Sequence, residues 1–287
     1  MIGIIDVGGG LRGVYGAGVF DCCMDNDLYF GYCLGVSAGS ANQLSYVSGQ
    51  RGRNYRFYLE YTFRRDYMSI YNLIRKGSYL DLEYIYGALT NEDGEDPFDF
   101  DAAMASDKIL KSVTLNALTG ETVYFDSRTD LKRNDYYFTK TSSCMPLVCK
   151  PYMVDGVPYF DGGIADPVPI RKAFDDGCDK VALILTKPRD FIRDPAKDTR
   201  SAKLLSRKYP MAAVALADRA RRYNEGVALA REYEAQGKAI IIAPDSIEGM
   251  HTLTKSKKIL KKLYIKGYED AKQLREFTSN QYRPVSS

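Results

Sequence analysis

Gly35-Val36-Ser37-Ala38-Gly39 sets a serine inside a Gly-X-Ser-X-Gly pentapeptide. The apolar run Tyr32-Cys33-Leu34 precedes it and Ala38-Gly39-Ser40-Ala41-Asn42-Gln43-Leu44 follows, an order that predicts strand, sharp turn, helix. Glycines on both sides, Gly35 and Gly39, let the serine take strained backbone angles with its hydroxyl standing clear of the sheet. The helix beyond would aim its free N–H groups and positive end at that hydroxyl, where an oxyanion would form. This is the chemistry of acyl transfer, and Ser37 is the candidate nucleophile.

Such a serine needs a base. The chain has one histidine, His251, and it falls beyond the last predicted core strand, badly placed for a Ser-His-Asp triad. Asp161-Gly162-Gly163 is the better source, because a predicted hairpin over 153–160 delivers the aspartate and two glycines hold it. An unperturbed aspartate titrates near ~4, so Asp161 can serve only if the site holds it within hydrogen-bond reach of the hydroxyl.

A third signal is Gly8-Gly9-Gly10-Leu11-Arg12-Gly13 after the first strand. Gly8, Gly10 and Gly13 satisfy G-x-G-x-x-G, but a dinucleotide site wants an acidic residue closing the second strand, where this chain has Gly35-Val36-Ser37. Consecutive glycines also expose backbone N–H groups that bind anionic oxygen. Beside the elbow strand, Gly8, Gly9, Gly10 and Gly13, with Ala38, would form an oxyanion hole. Arg12 would either add charge to it or brace the loop.

These elements imply a parallel sheet covered by helices. Strand 3–7, the Gly-rich loop, helix 14–24, strand 33–36 and the elbow make a βαβα start. Residues from about 50 to 105 are Tyr- and Arg-rich and helical in pattern, a cap over the site or a set of outer-layer helices. Strands follow at 112–117 and 121–125, then the hairpin, a helix over 170–174, a strand over 180–186, a helix over 209–235 and a strand over 239–243.

In this order and spacing the three glycine motifs are similar to those of the patatin-like phospholipase family. Ser142-Ser143-Cys144-Met145-Pro146 resembles that family's small-residue-then-proline segment, and Val154-Asp155-Gly156 the hairpin before its Asp-Gly-Gly. The likeness covers about residues 1–245. It implies a three-layer α/β/α fold with a mainly parallel sheet, a Ser37–Asp161 dyad, an oxyanion hole from the Gly8–Gly13 loop, and metal-free hydrolysis of acyl esters of lipids. The expected domains are therefore 1–245, the phospholipase-like unit, and 246–287, a basic helical extension. The alternatives are a non-catalytic lipid-binding or regulatory protein on the same scaffold, and a small-ester or thioester hydrolase or acyltransferase.

The remaining composition agrees with such a protein. A net charge of +3 over 287 residues does not mark the whole chain as a nucleic-acid binder. The six cysteines form no C-x-x-C pair and read as buried thiols. Met1-Ile2-Gly3-Ile4-Ile5-Asp6 enters a strand with no basic n-region, and no stretch approaches the ~18 apolar residues of a membrane span, so the expected location is cytoplasmic. No cofactor is called for, and no oligomeric state is encoded legibly. From Lys255 to Lys262 the tail is a basic amphipathic helix, either a solvated face or a peripheral contact with an anionic membrane.

Overall fold

The structure, a computed structural model, describes residues 1–279, so residues 280–287 of the expected extension lie outside the described residues. Eight strands form one sheet: β1 (Ile2–Asp6), β2 (Tyr32–Val36), β3 (Ile109–Asn116), β4 (Thr122–Asp126), β5 (Tyr152–Val154), β6 (Val157–Asp161), β7 (Lys180–Ile184) and β8 (Ala239–Ile242). Hydrogen bonding runs β5-β6-β3-β2-β1-β7-β8, with β4 also paired to β3. The β2/β3, β1/β2, β1/β7 and β7/β8 pairs are parallel, while β4, β5 and β6 join antiparallel. The sheet is therefore mainly parallel at its centre.

Alternation along the strands splits the apolar side chains between two cores. Ile4, Cys33, Leu110, Ala182 and Ile184 face one layer, and Ile5, Leu34, Val113, Val181 and Leu183 face the other. The first layer is built from α1 (Val14–Asp25), α2 (Ala38–Val47) and α3 (Arg53–Leu59), followed by α4 (Ile70–Lys76) and α5 (Phe100–Ala105) further out. After the short α6 (Ser127–Asp130) and α7 (Tyr137–Ser142), the second layer takes α8 (Ile170–Asp175), α9 (Ala196–Leu205) and α10 (Pro210–Ala235). The result is a three-layer α/β/α fold.

The basic tail returns to the first layer as α11 (Lys257–Asp270), with α12 (Leu274–Ser279) behind it. Leu260, Leu263, Tyr264 and Gly267 are its buried face, and Lys257, Lys258, Lys261 and Lys262 are exposed. Its partner is α1, and the two backbones touch. A Cβ on Gly18 would lie 2.0 Å from the Tyr264 carbonyl, and one on Gly267 would lie 2.0 Å from the Tyr15 carbonyl. Three tyrosines fasten the pair: Tyr264 donates to Asp21 at 2.6 Å, Tyr15 to Asp270 at 2.6 Å and Tyr268 to Asp25 at 2.9 Å. Each of them joins an apolar ring surface to a carboxylate.

That contact has no room for a side chain, so Gly267→Val should push α11 off α1. Overpacking of this kind costs about 1–3 kcal/mol, seen as a lower Tm. Limited proteolysis should then release a fragment beginning near residue 250. An unchanged Tm and cleavage pattern would refute the close packing.

Candidate active site

Register decides which residues meet. Lys111 to Val113 pair with both β2 and β4, and Thr114 and Leu115 pair with both β4 and β6. A strand has two edges, so β2 and β6 share one edge of β3, end to end. Val36 is opposite Val113, and Asp161 is opposite Thr114. Where β2 stops and turns away at Ser37, the antiparallel β6 arrives from the other direction with Asp161. The Ser37 hydroxyl donates to Asp161 Oδ2 at 2.6 Å.

Ser37 holds φ +56° and ψ −130°, outside the angles ordinary side chains adopt. Its own N–H donates to Ser142 Oγ at 2.9 Å, and the Asp161 N–H donates to the Cys144 carbonyl at 2.9 Å. The small-residue segment at the end of α7 thereby braces both partners. The second Asp161 oxygen accepts the Gly163 N–H at 2.7 Å. Burial raises Asp161 to about 6, against the Ser37 hydroxyl, the Gly163 N–H and Arg219, which pull it down.

The Gly-rich loop carries three successive positive φ values: Gly8 +61°, Gly9 +125° and Gly10 +61°. Three side chains that the motif analysis did not single out hold it. The buried Asp6 accepts the Gly8 N–H at 2.8 Å through one oxygen and Asn42 Nδ2 at 2.8 Å through the other, and Asn42 also donates to the Gly13 carbonyl at 2.9 Å. Thr186 donates to the Gly8 carbonyl. Burial raises Asp6 to about 6, with the Asn42 and Gly8 donors opposing. Among the described residues no acceptor takes the N–H of Gly9, Gly10 or Ala38. Those are donors an anionic oxygen could use.

Two cavities meet at Ser37 and Asp161. The first, about 260 Å³, is mostly apolar, with Leu11, Phe57, Tyr58, Met68, Ile85 and Val148 among its walls. The segment from about 50 to 105 supplies part of that lining, Phe57, Tyr58, Met68 and Ile85 included. The second, about 120 Å³, is lined by Arg12, Lys187, Arg193 and Arg219, with Asp161 its single acidic residue. Behind it the buried Asp198 takes Arg193 Nε at 2.8 Å and Arg219 Nε at 3.1 Å. Burial opposes the charge on Asp198, but these two guanidiniums hold it below the usual carboxylate range. Burial, with help from Arg193, Arg12 and Arg219, lowers Lys187 to about 7.

The other predicted residues fall as follows. Arg12 is buried, donates to Thr252 Oγ1 at 2.9 Å, and faces the second cavity rather than only solvent. Thr252 and Leu253, from the extension, line the cavities, and the Leu11 N–H donates to the Thr252 carbonyl at 2.8 Å. His251 beside them is exposed and lines neither cavity. Lys255 is half-buried and donates to the Met68 carbonyl at 2.9 Å. All six cysteines are free and buried. Among the described residues no group of three His, Cys, Asp or Glu side chains is placed to hold a metal, and no helix is long and apolar enough to cross a membrane.

Comparison with known proteins follows the same lines. The uncharacterized protein YjjU of Escherichia coli strain K12 is 27% identical over 196 residues, which are 68% of this chain and 54% of YjjU. The match thus spans about half the length of that relative. Among solved structures, VipD from Legionella pneumophila is similar with a TM-score of 0.49 and 13% identity, over 96% of this chain and 67% of VipD. Residues 209–279 match a domain of unknown function. Residues 7–174, more than half of the chain, match the Patatin-like phospholipase model, and the chain belongs to the patatin-like phospholipase family.

Proposed function

We propose that this protein is a serine acyl hydrolase acting on lipid esters through Ser37 and Asp161. Family membership supports a lipid acyl hydrolase in general. The observation that carries the specific reading is the 2.6 Å hydrogen bond from a strained, elbow-borne serine to a buried aspartate. Asp161 takes the Ser37 proton as Oγ bonds to the ester carbonyl carbon. The N–H groups of Gly9 and Gly10, in the loop from Gly8 to Gly13, and of Ala38, at the start of α2, receive the oxyanion, a contribution of about 3 kcal/mol per donor in comparable sites. Collapse breaks the ester C–O bond, and the alkoxide leaves with the proton from Asp161. Asp161 then deprotonates water, which attacks the acyl-enzyme and releases the carboxylic acid, while the proton returns to Ser37.

The apolar cavity suits the acyl chain. The exposed Lys257, Lys258, Lys261 and Lys262 offer a cationic face to an anionic bilayer, with α11 keeping its apolar face on α1.

Hydrolysis of p-nitrophenyl acyl esters of increasing chain length tests the reading. Ser37→Ala and Asp161→Asn should each lose activity by at least about a thousandfold, His251→Ala should keep it, and only Ser37 should take a fluorophosphonate label. A folded protein that neither hydrolyses any ester nor takes the label would be a lipid-binding protein instead.

Two further outcomes follow from Asp161. A base must be ionised, so kcat/KM should fall on the acid side below a pH of about 6. A flat profile from pH 5 to 8 would argue against it. Its folded pKa also lies above the unfolded value, so its stabilising share is full below about 4 and lost as pH rises through about 6. At pH 7.5 the buried charge is therefore a burden of up to about 3 kcal/mol. Asp161→Asn should raise Tm at pH 7.5 by several degrees, and the gain should shrink toward pH 5.

A further inference from the structure

Hydrolysis of a neutral ester leaves the second cavity unexplained. Four cationic side chains converge on about 120 Å³, room for about four waters, and two of them lack the partners such groups ordinarily have. Arg12 is 9% exposed, and its Nε has no hydrogen-bond partner. Lys187 pairs with no carboxylate among the described residues; its ammonium sits 3.4 Å from the Phe191 ring centroid. A buried donor left without a partner destabilises the fold, and an ion network that served stability alone would balance its charges. Here Arg193 and Arg219 share the single carboxylate of Asp198. With Asp161 ionised and Lys187 protonated, four cations face two anions.

The position is as informative as the charge. Ser37 and Asp161 lie on the wall common to both cavities. An ester whose acyl chain fills the apolar side must send its alcohol portion toward the cationic side. The excess of two positive charges matches a phosphate monoester dianion, whereas a phosphodiester carries one negative charge.

We propose that Arg12, Lys187, Arg193 and Arg219 bind a phosphate monoester on the alcohol portion of the substrate. The esters cleaved at Ser37 are then acyl esters of glycerol-phosphate-like alcohols. This rests on the serine hydrolase reading and adds the substrate class to it. Three of the four cations lie beyond the segment that matches the phospholipase family, and Arg219 lies within the segment of unknown function, as do Tyr223 and Thr252 on the same wall. One role of residues 209–279 is thus to complete the head-group subsite. A bound dianion would also hold the Lys187 proton that burial and the three guanidiniums work to remove.

The test compares kcat/KM for a 1-acyl-glycerol 3-phosphate, the matching 1-acyl-glycerol and the matching 1-acyl-glycerophosphocholine. The wild type should favour the phosphate monoester by at least about tenfold over both, or about 1.4 kcal/mol. Lys187→Met, which keeps an unbranched stem and removes an unpaired charge, should cut that preference by about tenfold or more. Inorganic phosphate should raise the Tm of the wild type above a chloride control of equal ionic strength, and should do so less in Lys187→Met. Equal use of all three esters, or a preference untouched in Lys187→Met, would overturn the assignment. A phosphate-dependent Tm without a preference among esters would mean a site for free phosphate, and would overturn the head-group role. Absence of all ester hydrolysis with the phosphate shift intact and lost in Lys187→Met would sink the hydrolase reading while leaving the anion subsite standing.

Discussion

The loops that leave β1 and β2 are locked against each other at two backbone crossings. A Cβ on Gly8 would stand 2.2 Å from the Val36 carbonyl, and one on Gly39 would stand 2.1 Å from the Asp6 carbonyl. Each loop therefore rests on the last residue of the other's strand, and no side chain fits between them. This mutual approach brings the Gly-rich loop beside the start of α2, where a Cβ on Gly8 would stand 2.9 Å from the Ala38 nitrogen. Strain at Ser37, of order 1–3 kcal/mol for such angles, persists because both loops are held from outside. Asp6 is the central fastening: one carboxylate oxygen holds the Gly8 loop and the other holds α2 through Asn42.

Burying that carboxylate, and Asp161 nearby, carries a thermodynamic consequence. Each is pushed up to about 6 because desolvation outweighs the hydrogen bonds it receives. The site accordingly holds two carboxylates that titrate at about pH 6 rather than about 4. What separates them is the company each keeps. Asp6 accepts only backbone and amide donors, which fix a shape, whereas Asp161 meets a hydroxyl that can give up its proton.

How much of this was legible depended on how narrowly the chemistry restricts residue type. Ser37, Asp161 and the Gly8–Gly13 loop stood out because each sits among closely spaced glycines, and positive φ values and close backbone approaches admit few other residues. The mainly parallel sheet was readable from its short apolar runs, and α11 from its spacing. Asp6 was not picked out, because one aspartate at a strand end looks like any other. Helix α9 was missed because Ala196–Leu205 buries only Asp198, Ala202 and Leu205, too sparse a stripe to show as helical periodicity. The end-to-end seating of β2 and β6 along β3 could not be read at all. It is a matter of register, and nothing in the residue types of Thr114 or Val113 announces which strand each will face.

The cationic cavity was hidden for a related reason: its four side chains come from a loop after β1, a loop after β7 and helix α10, and only the strand order gathers them. That gathering also ties them to Asp161, the proposed base. Arg219 pulls Asp161 down toward ionisation while it pushes Lys187 down toward neutrality. An anion entering the cavity would weaken Arg219's pull on Asp161, making the aspartate a stronger base, and would at the same time hold the proton on Lys187. In the proposed reaction, occupancy of the cationic cavity and the basicity of Asp161 would thus be coupled through one guanidinium. Because Arg219 belongs to α10, the helix beyond the family's matched segment has a direct electrostatic hold on Asp161 inside it.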